Sequence, residues 1–268
     1  GQGAEPVYFA DANLKAAVES QLGIVDPTPV DMFRLNELSC TGKGITDLTG
    51  LETAVYLRSL DLSDNAIGDI SALSGLRFTQ TLYLQKNHIA DISALPAMVN
   101  LRILQLSDNR ITNISAVSVM MNLTDLQLYN NQITDISPVS GLTKLTRLYL
   151  GGNQISDISA VSGLTNLTDL QLYKNQITDI SPVSGLTKLT WLYLYGNQIS
   201  NISAVSQLTN LTSLVLGGNQ ISDISPVAAL MTLTSLSLYS NMISDISSVA
   251  GLTNLTMLQL GNNQISDI

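Results

Sequence analysis

Acid–base or nucleophilic chemistry would fall to very few side chains in this chain. There is one histidine, His88, and one cysteine, Cys40. A general base needs a group that orients it, and a nucleophile needs a base that activates it. His88 lies at a rim position of its segment with no such set around it, so it reads as an exposed polar residue. Cys40 occupies a slot that leucine fills elsewhere, so it reads as a buried small hydrophobe. No phosphate loop, paired Cys/His metal spacing or nucleophile motif is present. These residues predict a protein that is not an enzyme and that carries no cofactor and no metal.

Other side chains recur at fixed spacing. Asp69, Asp91, Asp135, Asp157, Asp179, Asp223, Asp245 and Asp267 form a row that suggests a calcium ridge. Asn113 and Asn201 fill the same slot, which points to a shared acceptor oxygen capping the next turn rather than to charge. Asn122, Asn166, Asn210 and Asn254 each open an Asn-Leu-Thr glycosylation sequon. Thr146, Thr168, Thr190 and Thr212 form a threonine row of the kind that suits ordered surfaces such as ice, but their place at a strand entrance predicts half-burial. The sequons and the threonines recur because their surroundings recur.

The surroundings are a repeat of 22 residues from Leu57 onward. Its clearest marker is an asparagine at 65, 87, 109, 131, 153, 175, 197, 219, 241 and 263. Reduced to fixed positions the unit reads L-x-x-L-x-L-x-x-N-x-I-x-D-I-S-x-V-S-G-L. The alternating Leu126 and Leu128, and their equivalents, have the period of a strand with one face buried. A single such strand cannot bury that face, but stacked units build one core and a parallel sheet. The asparagine amide both donates and accepts, so a ladder of them would satisfy backbone groups in the turn after each strand. Asp-Ile-Ser-Pro reads as the start of a short helical turn, with serine as N-cap and proline in the first turn. Gly141, Gly163 and Gly185 mark a chain reversal, although Val119 and Gln207 share that slot and make a positive φ there non-obligatory.

The unit resembles the 22-residue leucine-rich repeat of the bacterial internalin-like class, over Leu35 to Ile268. The predicted fold is α/β: a right-handed leucine-rich-repeat solenoid with a curved parallel β-sheet on its concave face and short 3-10 or loop segments on its convex face. Residues 35–268 give eleven units, of which the first is atypical, with Lys43 in place of asparagine, and the last is truncated. Residues 1–34 read as a helical N-terminal cap. Phe9 to Gly23 is an amphipathic helix with Leu14, Ala17, Val18 and Leu22 on one stripe. Thr28-Pro29 begins a second helix carrying Val30, Met32 and Phe33. The resemblance implies an extracellular or surface-attached bacterial module that binds host proteins or sugars. Gly1-Gln2-Gly3 reads as a cloning remnant, no signal peptide is present in this sequence, and the natural chain is expected to continue past Ile268. The cut there predicts end-to-end self-association or fraying at an uncapped C-terminus.

Composition narrows the partner. A net charge of −9 disfavours nucleic acid, and no apolar run long enough to insert into a membrane occurs. The residues between the strand leucines face the concave side, and seven of the nine tyrosines fall there: Tyr83, Tyr129, Tyr149, Tyr173, Tyr193, Tyr195 and Tyr239. The single tryptophan, Trp191, joins them. Aromatic and arginine side chains dominate binding hot spots because they bury large area and keep a polar handle.

A duplication points to the same place. Residues 123–166 and 167–210 differ at five of 44 positions: Asn130/Lys174, Arg147/Trp191, Gly151/Tyr195, Asp157/Asn201 and Gly163/Gln207. The first three pairs lie in strand or rim slots of the concave side. The expected ligand site is Trp191, Tyr193 and Tyr195, surrounded by Tyr149, Tyr173, Tyr129, Arg147, Lys174, Asp125, Asp169, Gln127 and Gln171. Its first reading is recognition of a protein, in the manner of an adhesin or receptor. The alternative is a carbohydrate-binding module in which the rings stack on sugars while Asp and Gln bond hydroxyls. A third reading, a synthetic repeat scaffold, is opposed by the irregular Thr79, Met98, Val119 and Met120 at framework slots.

Overall fold

The computed structural model describes residues 4–266, so the opening tripeptide, Asp267 and Ile268 lie outside the described residues. The chain divides into two compact units, residues 1–132 and 133–268.

The first unit begins with helix α1, Ala12–Leu22. Asp11 caps it by accepting the N–H groups of Asn13 and Leu14, and Gly23 ends it in the left-handed region at φ 68°. Leu14 and Val18 are buried, while Ala17 and Leu22 are only half-buried. The other Asp11 oxygen accepts the Thr46 N–H at 2.9 Å, which ties the helix to the first repeat. Helix α2, Pro29–Met32, starts from a Thr28–Asp31 capping box. Of the three apolar residues expected to pack from it, only Met32 enters the core; Val30 and Phe33 are exposed. A helix of four residues has room to turn one side chain inward.

Five three-residue strands follow: β1 Glu37–Ser39, β2 Ser59–Asp61, β3 Thr81–Tyr83, β4 Ile103–Gln105 and β5 Asp125–Gln127. They pair in sequence order, all parallel, each in register with the residue one repeat away. The second unit has six: β6 Arg147–Tyr149, β7 Asp169–Gln171, β8 Trp191–Tyr193, β9 Ser213–Val215, β10 Ser235–Ser237 and β11 Met257–Gln259. These also pair in order and parallel. The middle leucine of β1 to β10 points into the core, with the residue two later (leucine, or Cys40 after β1) and the apolar residues of the return segment, whereas Leu258 of β11 is 40% exposed. Each return passes through a short 3-10 turn such as Ser159–Val161 or Ser181–Val183.

The asparagine ladder runs through both units. Asn87 accepts the Ile67 N–H at 3.0 Å and donates to the carbonyls of Leu62 and Leu84, both at 3.0 Å. Asn197 repeats the pattern on Ile177, Leu172 and Leu194. One side chain thus joins its own strand exit to the preceding repeat. The first repeat has no asparagine of its own, and Asn65 serves its turn by accepting from both Lys43 and Ile45.

One turn assignment from the sequence is corrected. Serine does not cap the 3-10 turns: Ser137 is the first turn residue, Ile136 precedes it without a side-chain bond, and Asp135 accepts the Ser137 N–H at 2.8 Å. An acceptor two residues upstream reaches that N–H as an Asx turn, and Asn113 and Asn201 do the same. The left-handed residue of the repeat does not lie in the 141 slot, as Val119 and Gln207 there imply. It is the residue before each ladder asparagine: Asp64, Lys86, Asp108 and Asn130 in the first unit, and Gly152, Lys174, Gly196, Gly218, Ser240 and Asn262 in the second. The chain reverses directly behind the strand, and the Gly/Asn/Asp bias of that slot is the sequence signal for it.

The turn carboxylates predict an acid response. Hydrogen bonds from the backbone and then the side chain of the serine two residues on hold Asp91, Asp135, Asp157, Asp223 and Asp245 below the usual carboxylate range. The unfolded chain therefore takes up protons first. Their stabilisation is complete above pH ~3.9 and is lost as pH falls through the lower folded-state values. Replacing all five by asparagine, which keeps the acceptor, should shrink the gap between urea midpoints measured at neutral pH and near pH 3. An unchanged gap would refute this role for the row.

Candidate ligand-binding face

Parallel register aligns the expected residues of the second unit in rows across the sheet. Arg147, Asp169 and Trp191 are consecutive partners on β6, β7 and β8, and Tyr149, Gln171 and Tyr193 form the next row. Neighbouring strands lie about 4.8 Å apart, so side chains within a row touch. The third row, at the strand exits, runs Gly151, Tyr173, Tyr195, Gly217, Tyr239.

That third row is built by size. The rings of Tyr173 and Tyr195 stack with centroids 4.8 Å apart and planes parallel. A Cβ on Gly151 would lie 2.3 Å from the Tyr173 ring, and one on Gly217 would lie 2.1 Å from the Tyr239 ring. Each glycine therefore makes the floor on which the next tyrosine lies. Burial, and secondarily the nearby Tyr239, raises the Tyr195 hydroxyl above its ordinary pKa. The Gly151/Tyr195 difference between the two duplicated segments thus has a packing consequence: tyrosine at 195 gives Tyr173 a stacking partner, and glycine at 151 gives it space. Tyr239 was seen in the sequence as one more concave tyrosine, and its place beside Tyr195 was not. The glycine one repeat ahead of it, matching Gly151 ahead of Tyr173, is the signal that finds it.

The side chains of the first two rows differ in how far they are buried. Asp169 is 3% exposed, accepts the Tyr149 hydroxyl, and takes a longer 3.4 Å bond from Gln171. Its carboxylate holds neighbours in place. Trp191 is 48% exposed, and Arg147 is also exposed. Lys174 is exposed on a left-handed backbone at φ 50°, which a β-carbon disfavours. Tyr193 is half-buried. In the first unit, Gln127 donates to the buried Asp125 at 3.1 Å, and Tyr129 is half-buried after the strand.

The residues with catalytic potential are placed as expected. His88 is exposed. Cys40 is fully buried, and its thiol is pushed up to about 12 by burial, with Asp61 adding and Lys43 opposing. Among the described residues no group of three or more His, Cys, Asp or Glu could hold a metal ion, and no helix is long and apolar enough to cross a membrane.

This architecture defines a leucine-rich-repeat scaffold of the kind used for protein interaction. The family model for Leucine Rich repeats (2 copies) matches residues 80–119, 122–163, 143–185, 165–203, 187–229 and 232–268, and a Leucine Rich repeat model matches 54–74. Among solved structures, internalin InlF from Listeria monocytogenes is 34% identical, with a TM-score of 0.69, over 100% of this chain and 94% of that one. Internalin C2 from the same organism is 33% identical, with a TM-score of 0.76, over 83% of this chain and 100% of that one. The Arabidopsis receptor kinase HAESA ectodomain, in complex with an IDA peptide hormone ligand, is 25% identical, with a TM-score of 0.70, over 79% of this chain and 39% of that one. Among curated proteins no sequence matches. The chain belongs to the internalin-like leucine-rich-repeat family.

Proposed function

We propose that the second unit binds a protein ligand on its sheet face, as an extracellular or cell-surface adhesin or receptor module. The observation that carries this reading is the half-exposed Trp191 on the same strand that leads to the stacked Tyr173–Tyr195 pair. Large rings held rigidly by their neighbours lose little conformational freedom on binding and bury much area. The HAESA ectodomain, similar in fold, carries a peptide ligand. A carbohydrate ligand would use the same rings, with Asp and Gln side chains bonding its hydroxyls. Asp169 already accepts from Tyr149 and Gln171, which favours protein over glycan.

The test uses Trp191 itself. It is the chain's single tryptophan, so its emission reports this face alone. A tryptophan-free partner that docks here should shift the emission to the blue and protect it from acrylamide. A protein that binds tightly with neither change would place the ligand elsewhere. Glycans that produce the shift on their own would favour the carbohydrate reading.

A further inference from the structure

The first unit carries a second cluster of exposed rings, away from the sheet face. In most repeats the residue just before the first strand leucine is polar and serves the backbone. Asn100 donates to the Arg77 carbonyl at 2.7 Å and Asn122 to that of Val99 at 3.1 Å; Asn166, Asn210 and Asn254 do the same in the second unit. Tyr56 and Phe78 stand in this slot instead. Each gives up the side-chain bond and leaves a ring 46% and 50% exposed. Phe33, 46% exposed behind α2, meets Tyr56 edge-on at 5.5 Å, and Tyr56 meets Phe78 at 5.6 Å. One position upstream the first unit continues the apolar edge with exposed Val99 and Met121, where the second unit has threonine at 143, 165, 187, 209 and 253 and a single exposed methionine, Met231. A ridge of half-exposed rings stands in place of a hydrogen-bonding asparagine, and contiguous exposed apolar surface marks contact sites.

Charge states what would cover it. Arg34, Arg58, Arg77 and Arg102 lie next to the ridge in sequence and are all exposed, in a chain of net charge −9. None of the four forms one of the ion pairs seen at Lys15, and Arg34 lies close enough to Asp31 to lower its carboxyl below the usual range, after the hydrogen bonds from Thr28. Four of the six arginines thus gather along one rim of an otherwise acidic protein. Arginine and aromatic side chains together form the usual core of a protein-binding hot spot, and the guanidinium fork matches carboxylates in two-bond geometry. The Phe33 and Tyr56 rings meet edge-on, with planes at 84°, and do not form a flat platform of the kind that stacks on sugar rings.

We propose that this rim of the first unit, Phe33, Tyr56 and Phe78 with the surrounding arginines, is a docking site for an acidic protein segment that also carries aromatic or apolar side chains. It is a surface additional to the sheet face of the second unit and does not depend on that assignment.

The variant Tyr56→Asn/Phe78→Asn installs the residue of the neighbouring repeats and should fold at least as well as the parent. The probe is a fluorescently labelled glutamate–tyrosine copolymer, compared with polyglutamate and heparin by anisotropy. The parent should bind the copolymer more tightly than either polyanion. The asparagine variant should lose about tenfold or more. Changing the four arginines to glutamine should weaken binding and flatten its salt dependence. Absent copolymer binding, undiminished binding by the asparagine variant, or heparin binding as tight as the copolymer would each overturn the proposal. So would loss on Trp191→Ala with the rim variants unaffected, which would place the copolymer on the second unit.

Discussion

Asn175→Ala is expected to lower the stability of the second unit by about 3 kcal/mol, with no change at any exposed ligand-facing side chain. The Asn175 side chain accepts the Ile155 N–H at 3.0 Å and donates to the Leu150 and Leu172 carbonyls, both at 3.0 Å. Alanine removes the partner of these three backbone groups, and of the Tyr173 carbonyl at 3.2 Å, and each unsatisfied buried group costs about 1–3 kcal/mol. The lower part of that range applies, because water entering the space left by the amide recovers some of the loss. Asn175→Asp separates the two halves of the role. It keeps the acceptor for Ile155, loses the donor to two carbonyls and sets a carboxylate against them, so it should destabilise at least as strongly near neutral pH. Urea unfolding followed through Trp191, on the adjacent strand, reads both variants. A midpoint equal to the parent's for Asn175→Ala would show that the ladder does not hold the repeats together.

That ladder was legible in the sequence because it repeats. Ten asparagines at one spacing amount to the same statement made ten times, and the alternating leucines add the sheet and its buried face. What did not repeat was harder to read. Ser137 and its equivalents looked like caps by residue type, yet Asp135 sits at the distance that closes the turn, and type alone does not separate the two. The left-handed slot was hidden by its variety: lysine, serine, aspartate, asparagine and glycine all occupy it, and only three of these announce a positive φ. Within the candidate site, the rows on β6 to β8 follow from register and were foreseen. The depth of each side chain was not. Asp169 and Trp191 occupy the same row one strand apart, but the carboxylate turns into a bond with Tyr149 while the indole stays in solvent. The role of Gly151 and Gly217 as floors for tyrosine rings also required coordinates, since an ordinary backbone glycine in a strand exit carries no conformational signature.

The double variant Trp191→Ala/Tyr195→Ala is expected to weaken binding by more than 2 kcal/mol, roughly thirtyfold or more in Kd, for any partner that shifts the Trp191 emission. The argument lies in how the two rings are held. Trp191 is half open to solvent, so its truncation removes contact area without opening the core beneath Leu192. Tyr195 is stacked on Tyr173, which rests against Gly151, so its loss frees Tyr173 to move and removes a rigid support as well as a contact. The two side chains lie four residues apart along one strand and its exit, so the effects should add: the double loss should match the sum of the singles to within about 0.5 kcal/mol. Stability should fall far less than for Asn175→Ala, because neither side chain supplies a hydrogen bond to the buried backbone. Calorimetry on the parent, both single variants and the double variant gives the complete cycle. If the double variant binds as tightly as the parent while its melting curve is unchanged, the face is an ordinary strand surface and the ligand site lies on other residues. If binding and stability fall together, the rings are part of the scaffold, and their exposure is a by-product of packing around the glycines.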